Sequence, residues 1–201
     1  MTGRVPPASG QPAGRGQQPG TGVPAGRRVV LALGSNLGDR LANLQAGLDL
    51  LCGGPGLTCS ALSPVYETVP LGGPPQPDYL NAVLIAATDL TARSVLDRCR
   101  AAEAARQRVR GEAWGPRTLD VDIVVYGDVI SGDPQITLPH PRAHERAFVL
   151  APWHDIEPDA RIPGCGPVAD LLAAVAAAGV RRVPEARLSI PACSSQMAAQ
   201  G

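Results

Sequence analysis

Residues 119–126 read Leu-Asp-Val-Asp-Ile-Val-Val-Tyr, the most restrictive pattern in the chain. Alternate side chains of a strand share a face, so Leu119, Val121, Ile123 and Val125 are expected to point into a core. Asp120, Asp122, Val124 and Tyr126 are then expected to point the other way. The two carboxylates stand about 7 Å apart at their Cα atoms and can reach one hard cation or a pair of them. Side by side without a cation they would repel, and one would resist ionising. A site for Mg2+ relieves that conflict.

The segments around this strand alternate between strand and helix patterns. Residues 28–33 form a short apolar strand ending in Gly34-Ser35-Asn36-Leu37-Gly38, a turn rich in residues that tolerate tight backbone geometry. Leu41, Leu44, Leu48 and Leu51 follow the helical repeat over 40–51, and Gly53-Gly54-Pro55-Gly56 stops it. Residues 57–68 and 79–88 have strand composition, separated by a stiff loop, 69–77, with four prolines and two glycines. Thr91 is the expected N-cap of a second helix reaching about Gln107, with Val95, Leu96, Cys99, Ala102 and Ala105 near one face. Turn residues at 127–128 and 131–134 predict a hairpin, and 168–178 a last helix. Strand, helix, strand, strand, helix, strand is the ferredoxin-like order. The expected fold is an α+β sandwich with a mainly antiparallel sheet and helices packed on one face, extended by the hairpin and the C-terminal helix.

Residues 1–26 contain seven Gly and five Pro and no Leu, Ile or aromatic residue, so they cannot bury enough surface to offset their ordering entropy. A disordered tail is expected there, a folded domain over 27–183, and a surface tail over 184–201. The 18 basic residues, all arginine, cancel the 18 acidic ones. Neutrality argues against a protein held on nucleic acid by phosphate neutralisation. No apolar run is long enough to span a bilayer, and the N-terminus lacks a secretory apolar segment. The expectation is a soluble cytoplasmic monomer. Five cysteines, odd in number and never in Cys-x-x-Cys, suggest reduced structural thiols rather than a disulfide framework or a zinc ribbon.

An isolated Asp-x-Asp usually decorates a solvated strand, but here Arg117 lies three residues upstream and Arg106, Arg108 and Arg110 approach from the preceding helix end. Paired carboxylates, a metal and guanidiniums are what phosphoryl transfer needs, because charge and alignment stabilise its transition state. Arg106 is equally accounted for as a solvated helix terminus. Residues 137–148 add His140 and Arg146 as phosphate ligands and Arg142 as a weaker candidate. His140 and His144 have a helical metal spacing, but Pro141 interrupts it and no third ligand follows, so zinc is not expected. Tyr79 and Asn81, with 66–72 and Gln76 nearby, offer a stacking face and an amide that suit a flat heterocycle. They also fit the start of an ordinary strand.

Taken together, Gly34-Ser-Asn-Leu-Gly38, Trp114-Gly-Pro-Arg-Thr-Leu-Asp-Val-Asp122, Pro139-His140 and Arg146-Ala-Phe148 resemble the 6-hydroxymethyl-7,8-dihydropterin pyrophosphokinases. The resemblance covers nearly the whole expected domain. It implies pyrophosphate transfer from ATP to a pterin alcohol, with AMP leaving, in folate biosynthesis. It implies that Asp120 and Asp122 ligate two Mg2+ ions and that Arg108 and Arg117 neutralise phosphate charge. Arg100, Glu103, Arg110, Ile123, Thr137, His140 and Arg146 would lie around the nucleotide. Tyr79 and Phe148 would sandwich the pterin, while Asn81 and the backbone at Thr68, Val69 and Leu71 would read its hydrogen-bonding edge. Trp114 would sit on a loop closing over both substrates. Gly111-Glu-Ala113 departs from the family pattern where a basic residue is common, and Pro141 stands where others place an aromatic.

Other readings fit less of the chain. A metal-dependent glycosyltransferase would begin with a larger parallel nucleotide-binding unit. A haloacid-type phosphatase would want a small loop and Thr after its acids, but Asp122 leads into Ile-Val-Val. An RNA-binding ferredoxin-like module would show sheet aromatics and a basic face.

Overall fold

In the computed structural model, which describes residues 26–70, 72–106, 115–175 and 179–191, the chain is organised about its first strand. β1 (Arg27–Ser35) is followed by α1 (Arg40–Cys52), β2 (Leu57–Leu62), β3 (Tyr66–Thr68), β4 (Tyr79–Thr88), α2 (Ala92–Ala105) and β5 (Asp120–Tyr126). β1 lies between β4 and β5, antiparallel to both; β2 and β3 pair in turn with the far edge of β4. This is the ferredoxin-like arrangement the element order predicts. The stretch expected as one strand over 57–68 is divided at 63–65, next to Pro64, into β2 and β3.

The helix signals act as expected. Thr91 caps α2 by accepting from the Ser94 N–H at 3.1 Å, and Asp39 caps α1 by accepting from the Ala42 N–H at 3.0 Å. Both helices cover one face of the sheet, where Leu31, Leu33, Leu44, Leu48, Leu51, Leu84 and Val95 form the larger core.

The opposite face carries a second core, which adds a layer to the expected sandwich. Val30, Val83, Ile85, Val124 and Val125 pack there under α3 (Ala147–Ile156) and α4 (Val168–Ala174). No helix is expected over 147–156 from sequence, and Pro152 lies inside the one observed. A proline inside a helix costs about 3 kcal/mol, yet Val149, Leu150 and Trp153 are each at most 2% exposed. At about 1.5–3 kcal/mol per buried side chain, these three outweigh the proline.

The alternation of β5 is corrected as well. The register shifts between Val30 and Leu31, which pair with Val125 and Ile123, so Val124 is an extra residue in the ladder. Such a bulge reverses the faces beyond it. Leu119, Val121 and Ile123 face α1 and α2 as expected, but Val124 and Val125 both enter the second core, and Tyr126 joins the first.

The predicted hairpin is β6 (Ser131–Asp133) with β7 (Ile136–Leu138). A two-residue pair, β8 (Arg161–Ile162) with β9 (Gly166–Pro167), and β10 (Val180–Arg182), which extends the sheet beside β3, were not anticipated. The last helix is shorter than the expected 168–178; residues 176–178 lie outside the described residues. In the tail beyond 183, Ala186 and Leu188 pack on the larger core, and Ser189 exchanges two hydrogen bonds with the Gln45 side chain. The expected disordered segment lies, apart from Gly26, outside the described residues.

The expectation of reduced thiols fails at one place. Cys52 and Cys59 form a disulfide across the Gly53–Gly56 turn, which folds the end of α1 back against β2 and leaves their Cα atoms 6.2 Å apart. Cys99 is a buried free thiol, its pKa pushed up to about 12 by burial.

Candidate active site

Register places the chemistry. Gly34 of β1 pairs with Asn81 of β4 on one side and Asp120 of β5 on the other, while Ala32 pairs with Val83 and Asp122. Residues in one cross-strand row share a face, so the amide and the carboxylates emerge on either side of a floor made by Ala32 and Gly34. This floor is where the second core ends, and a cavity of about 410 Å3 opens above it. A Cβ on Gly34 would meet Asn81 Oδ1 at 3.2 Å and the Tyr79 ring at 3.6 Å, so the glycine keeps the floor low.

The β4 side of the cavity is neutral. Asn81, 5% exposed, donates from Nδ2 to Thr68 Oγ1 at 2.8 Å, which leaves its Oδ1 oriented toward the floor. Thr68, Val69 and Tyr79 line the same side, and Phe148 at the start of α3 faces the cavity from above. Burial raises the Tyr79 pKa, and the negative charge of Asp120 raises it further, so its hydroxyl stays protonated.

The β5 side is charged. The Arg117 guanidinium is paired with Asp120, and Arg146 NH1 donates to Asp122 Oδ2 at 3.0 Å while lying 5.6 Å from the centre of the Phe148 ring. Burial works against the Arg117 charge, but Asp120 outweighs it and the guanidinium pKa is raised. His140 is anchored by its backbone N–H to Val124 O at 2.9 Å, and its Nε2 lies 3.6 Å from Asp122 Oδ2. Burial lowers the His140 pKa despite the opposing pull of Asp122. Its Nδ1 accepts from the Arg142 N–H at 3.1 Å, which assigns the neutral ring's proton to Nε2, facing Asp122.

Ten residues expected from sequence meet in this cavity: Thr68, Val69, Tyr79, Asn81, Arg117, Asp120, Asp122, His140, Arg146 and Phe148. Arg142, the weaker candidate, also lines it. Four do not reach it. Arg100 lies on the outside of α2, 3.8 Å from Asp97. Glu103 is buried, its Oε1 accepting from the Val121 N–H at 3.0 Å and so covering the outer edge of β5. Ile123 belongs to the larger core, and Thr137 donates to Asp133 O within the hairpin turn. Leu71, Arg108, Arg110 and Trp114 lie outside the described residues. Arg106 donates to Asn43 Oδ1 at 2.6 Å, which places it in a structural contact rather than at the cavity. Ala32 was not expected there, and Gly34 was expected only as the start of the Gly34–Gly38 turn.

Carboxylates opposed to guanidiniums, next to a neutral slot with an amide and two rings, are groups that phosphoryl transfer calls on, assembled here on a ferredoxin-like sheet. The family model for 7,8-dihydro-6-hydroxymethylpterin-pyrophosphokinase (HPPK) matches residues 30–158, and the chain belongs to that family. It is 41% identical over 160 residues to the 2-amino-4-hydroxy-6-hydroxymethyldihydropteridine pyrophosphokinase of Pseudomonas aeruginosa, covering 80% of this chain and 99% of that protein. It is 48% identical over 160 residues to the enzyme of the same name from Mycobacterium bovis, covering 73% and 82%. Among solved structures, Plasmodium falciparum HPPK-DHPS with pteroate shares the fold, with a TM-score of 0.58 at 15% identity. That match covers 74% of this chain, which spans only 42% of the Plasmodium chain.

Proposed function

We propose that the protein transfers pyrophosphate from ATP to the hydroxyl of 6-hydroxymethyl-7,8-dihydropterin, giving the pterin diphosphate and AMP in folate biosynthesis. The observation that carries the reading is the single row in which Asn81, Gly34 and Asp120 lie side by side, putting a heterocycle-reading amide and a phosphate-handling carboxylate across one small floor. The pterin lies between Tyr79 and Phe148 with its polar edge on Asn81 and the backbone at Thr68, Val69 and Leu71. The ATP phosphates lie against Arg117, His140 and Arg146, joined by Arg108, Arg110 and Trp114 from the segment between. Arg100, Glu103, Ile123 and Thr137 are given no contact in this reading.

The reaction forms a bond from the pterin hydroxyl oxygen to the β-phosphorus of ATP and breaks the bond from that phosphorus to the oxygen retained by AMP; the hydroxyl proton is released. Two features of the chain favour it. Arg117 and Arg146 are each held against a carboxylate, so they are fixed where phosphate oxygens can take up their remaining N–H donors. The neutral His140 presents its Nε2–H to the same space. Asp120 and Asp122, two hard oxygen ligands on one strand face, fit Mg2+, which is commonly held by one or two carboxylates together with substrate phosphates. Bound there, two such ions would neutralise charge developing on the phosphates. The protein acts as a monomer in the cytoplasm, without a nucleic-acid or membrane partner; no helix among the described residues is long and apolar enough to cross a membrane.

Incubation with ATP, Mg2+ and the pterin alcohol yields AMP and pterin diphosphate in equal amounts. Formation of ADP, or no turnover, overturns the proposal.

A further inference from the structure

One buried amide links the two sides of the cavity without entering it. Asn36, in the turn between β1 and α1, is 1% exposed and does not line the cavity. Its Oδ1 accepts from the Arg117 N–H at 2.7 Å, and its own N–H donates to Arg117 O at 3.0 Å. Its Nδ2 donates to Gln76 Oε1 at 2.9 Å and to Pro77 O at 3.1 Å. A primary amide has two N–H donors and one carbonyl acceptor, and here all of them are engaged. The partners lie far along the chain, Gln76 40 residues on and Arg117 81 residues on. One partner segment leads into Tyr79, whose hydroxyl also approaches Gln76 Oε1 at 3.4 Å. The other carries the guanidinium that holds Asp120. The turn supporting Asn36 is itself fixed, since Asn43 donates to Leu37 O at 2.8 Å.

We infer that Asn36 is a positioning residue that sets the neutral and charged sides of the cavity relative to each other. The inference rests on the pyrophosphoryl-transfer reading and adds to it the group that aligns the two substrates. A transfer between two bound molecules depends on their relative placement to within about 1 Å, and a misplacement of that size costs about 100-fold in rate. Asn36 is suited to this because its oxygen serves one side and its nitrogen the other. Aspartate would keep an acceptor for the Arg117 N–H but lose both donors to Gln76 and Pro77. Alanine would lose every side-chain bond to both sides and keep only the backbone N–H to Arg117 O.

The test separates alignment from binding. For Asn36→Ala, the single-turnover rate constant at saturating substrates falls about 100-fold, while the Kd of Mg2+–ATP alone and of the pterin alone each change less than about threefold, since each side stays intact by itself. Gln76→Ala, which changes no residue of the buried turn and leaves Asn36 its bonds to Arg117 and Pro77, gives a smaller loss of the same kind, so the question survives if Asn36→Ala folds poorly. The double variant is no slower than Asn36→Ala alone, because both changes break one connection. Rate losses that multiply, a loss carried by either Kd with the saturated rate unchanged, or normal turnover in Asn36→Ala each overturn the inference. The wild type assayed in parallel keeps the two levels apart: no AMP from the wild type overturns the reading of the site and the inference with it, whereas AMP from the wild type together with any of those three results overturns the inference alone.

Discussion

The two sides of the cavity are built on opposite principles. On β4 and β3 the polar groups are neutral and satisfied by one another: Asn81 is 5% exposed and Thr68 holds its Nδ2. On β5 and the segments beside it are ions, about one fifth to one third exposed, paired locally as Arg117 with Asp120 and between β5 and the N-cap of α3 as Asp122 with Arg146. A neutral, buried hydrogen bond fixes one geometry and is costly to break. Ion pairs open to solvent to that extent contribute less to stability than buried ones and can share their charge with an incoming phosphate. If the neutral side sets shape and the charged side sets rate, substitutions separate along that line.

The largest expected effect is on the charged side. Asp122→Ala lowers kcat by at least about 10^3-fold with little change in Tm, as measured by steady-state assay beside thermal unfolding. A collapse of stability with residual activity would mean the sides have been assigned the wrong way round. On the neutral side the signature inverts. Asn81→Ala raises the Kd of the pterin by roughly tenfold and lowers unfolding free energy by about 1–3 kcal/mol, because the buried Thr68 hydroxyl loses its partner; calorimetric titration and urea denaturation measure the two.

Changes remote from both sides should move stability alone or nothing. The Cys52–Cys59 disulfide ties β2 to the end of α1 opposite the turn that borders the cavity. Replacing both cysteines with Ala removes the cross-link, costs about 2 kcal/mol in unfolding free energy, and leaves kcat unchanged. The smallest effect belongs to deletion of residues 1–25, whose composition offers nothing to bury; Tm and kcat should both match the full chain within error.

The charged side was the more legible in the sequence. Asp120, Asp122, Arg117 and Arg146 announce themselves because ions near one another need a reason, two of them sit two residues apart on an obvious strand, and His140 adds a further polar ring. β4 was also legible, with observed bounds of Tyr79–Thr88, since a proline-rich loop precedes it and a capping threonine follows. What escaped depends on pairing between distant segments. The bulge at Val124 is invisible because Ile-Val-Val can serve either face, and it decides where Tyr126 goes. The second core was hidden for the same reason, since strands rich in Val and Ala look apolar whichever face is covered, and Pro152 masked the helix that covers it. The links made by Asn36 join residues 40 and 81 positions apart, and no local pattern encodes them.

The central claim is that the two sides receive different substrates, and a crystal structure with the pterin alcohol and a non-hydrolysable ATP analogue tests it most directly. The pterin ring is expected between Tyr79 and Phe148 with its edge on Asn81, and the analogue's phosphates at Arg117, Arg146 and the Asp120–Asp122 pair. The ring on the arginine side, or phosphates against Asn81, would contradict it.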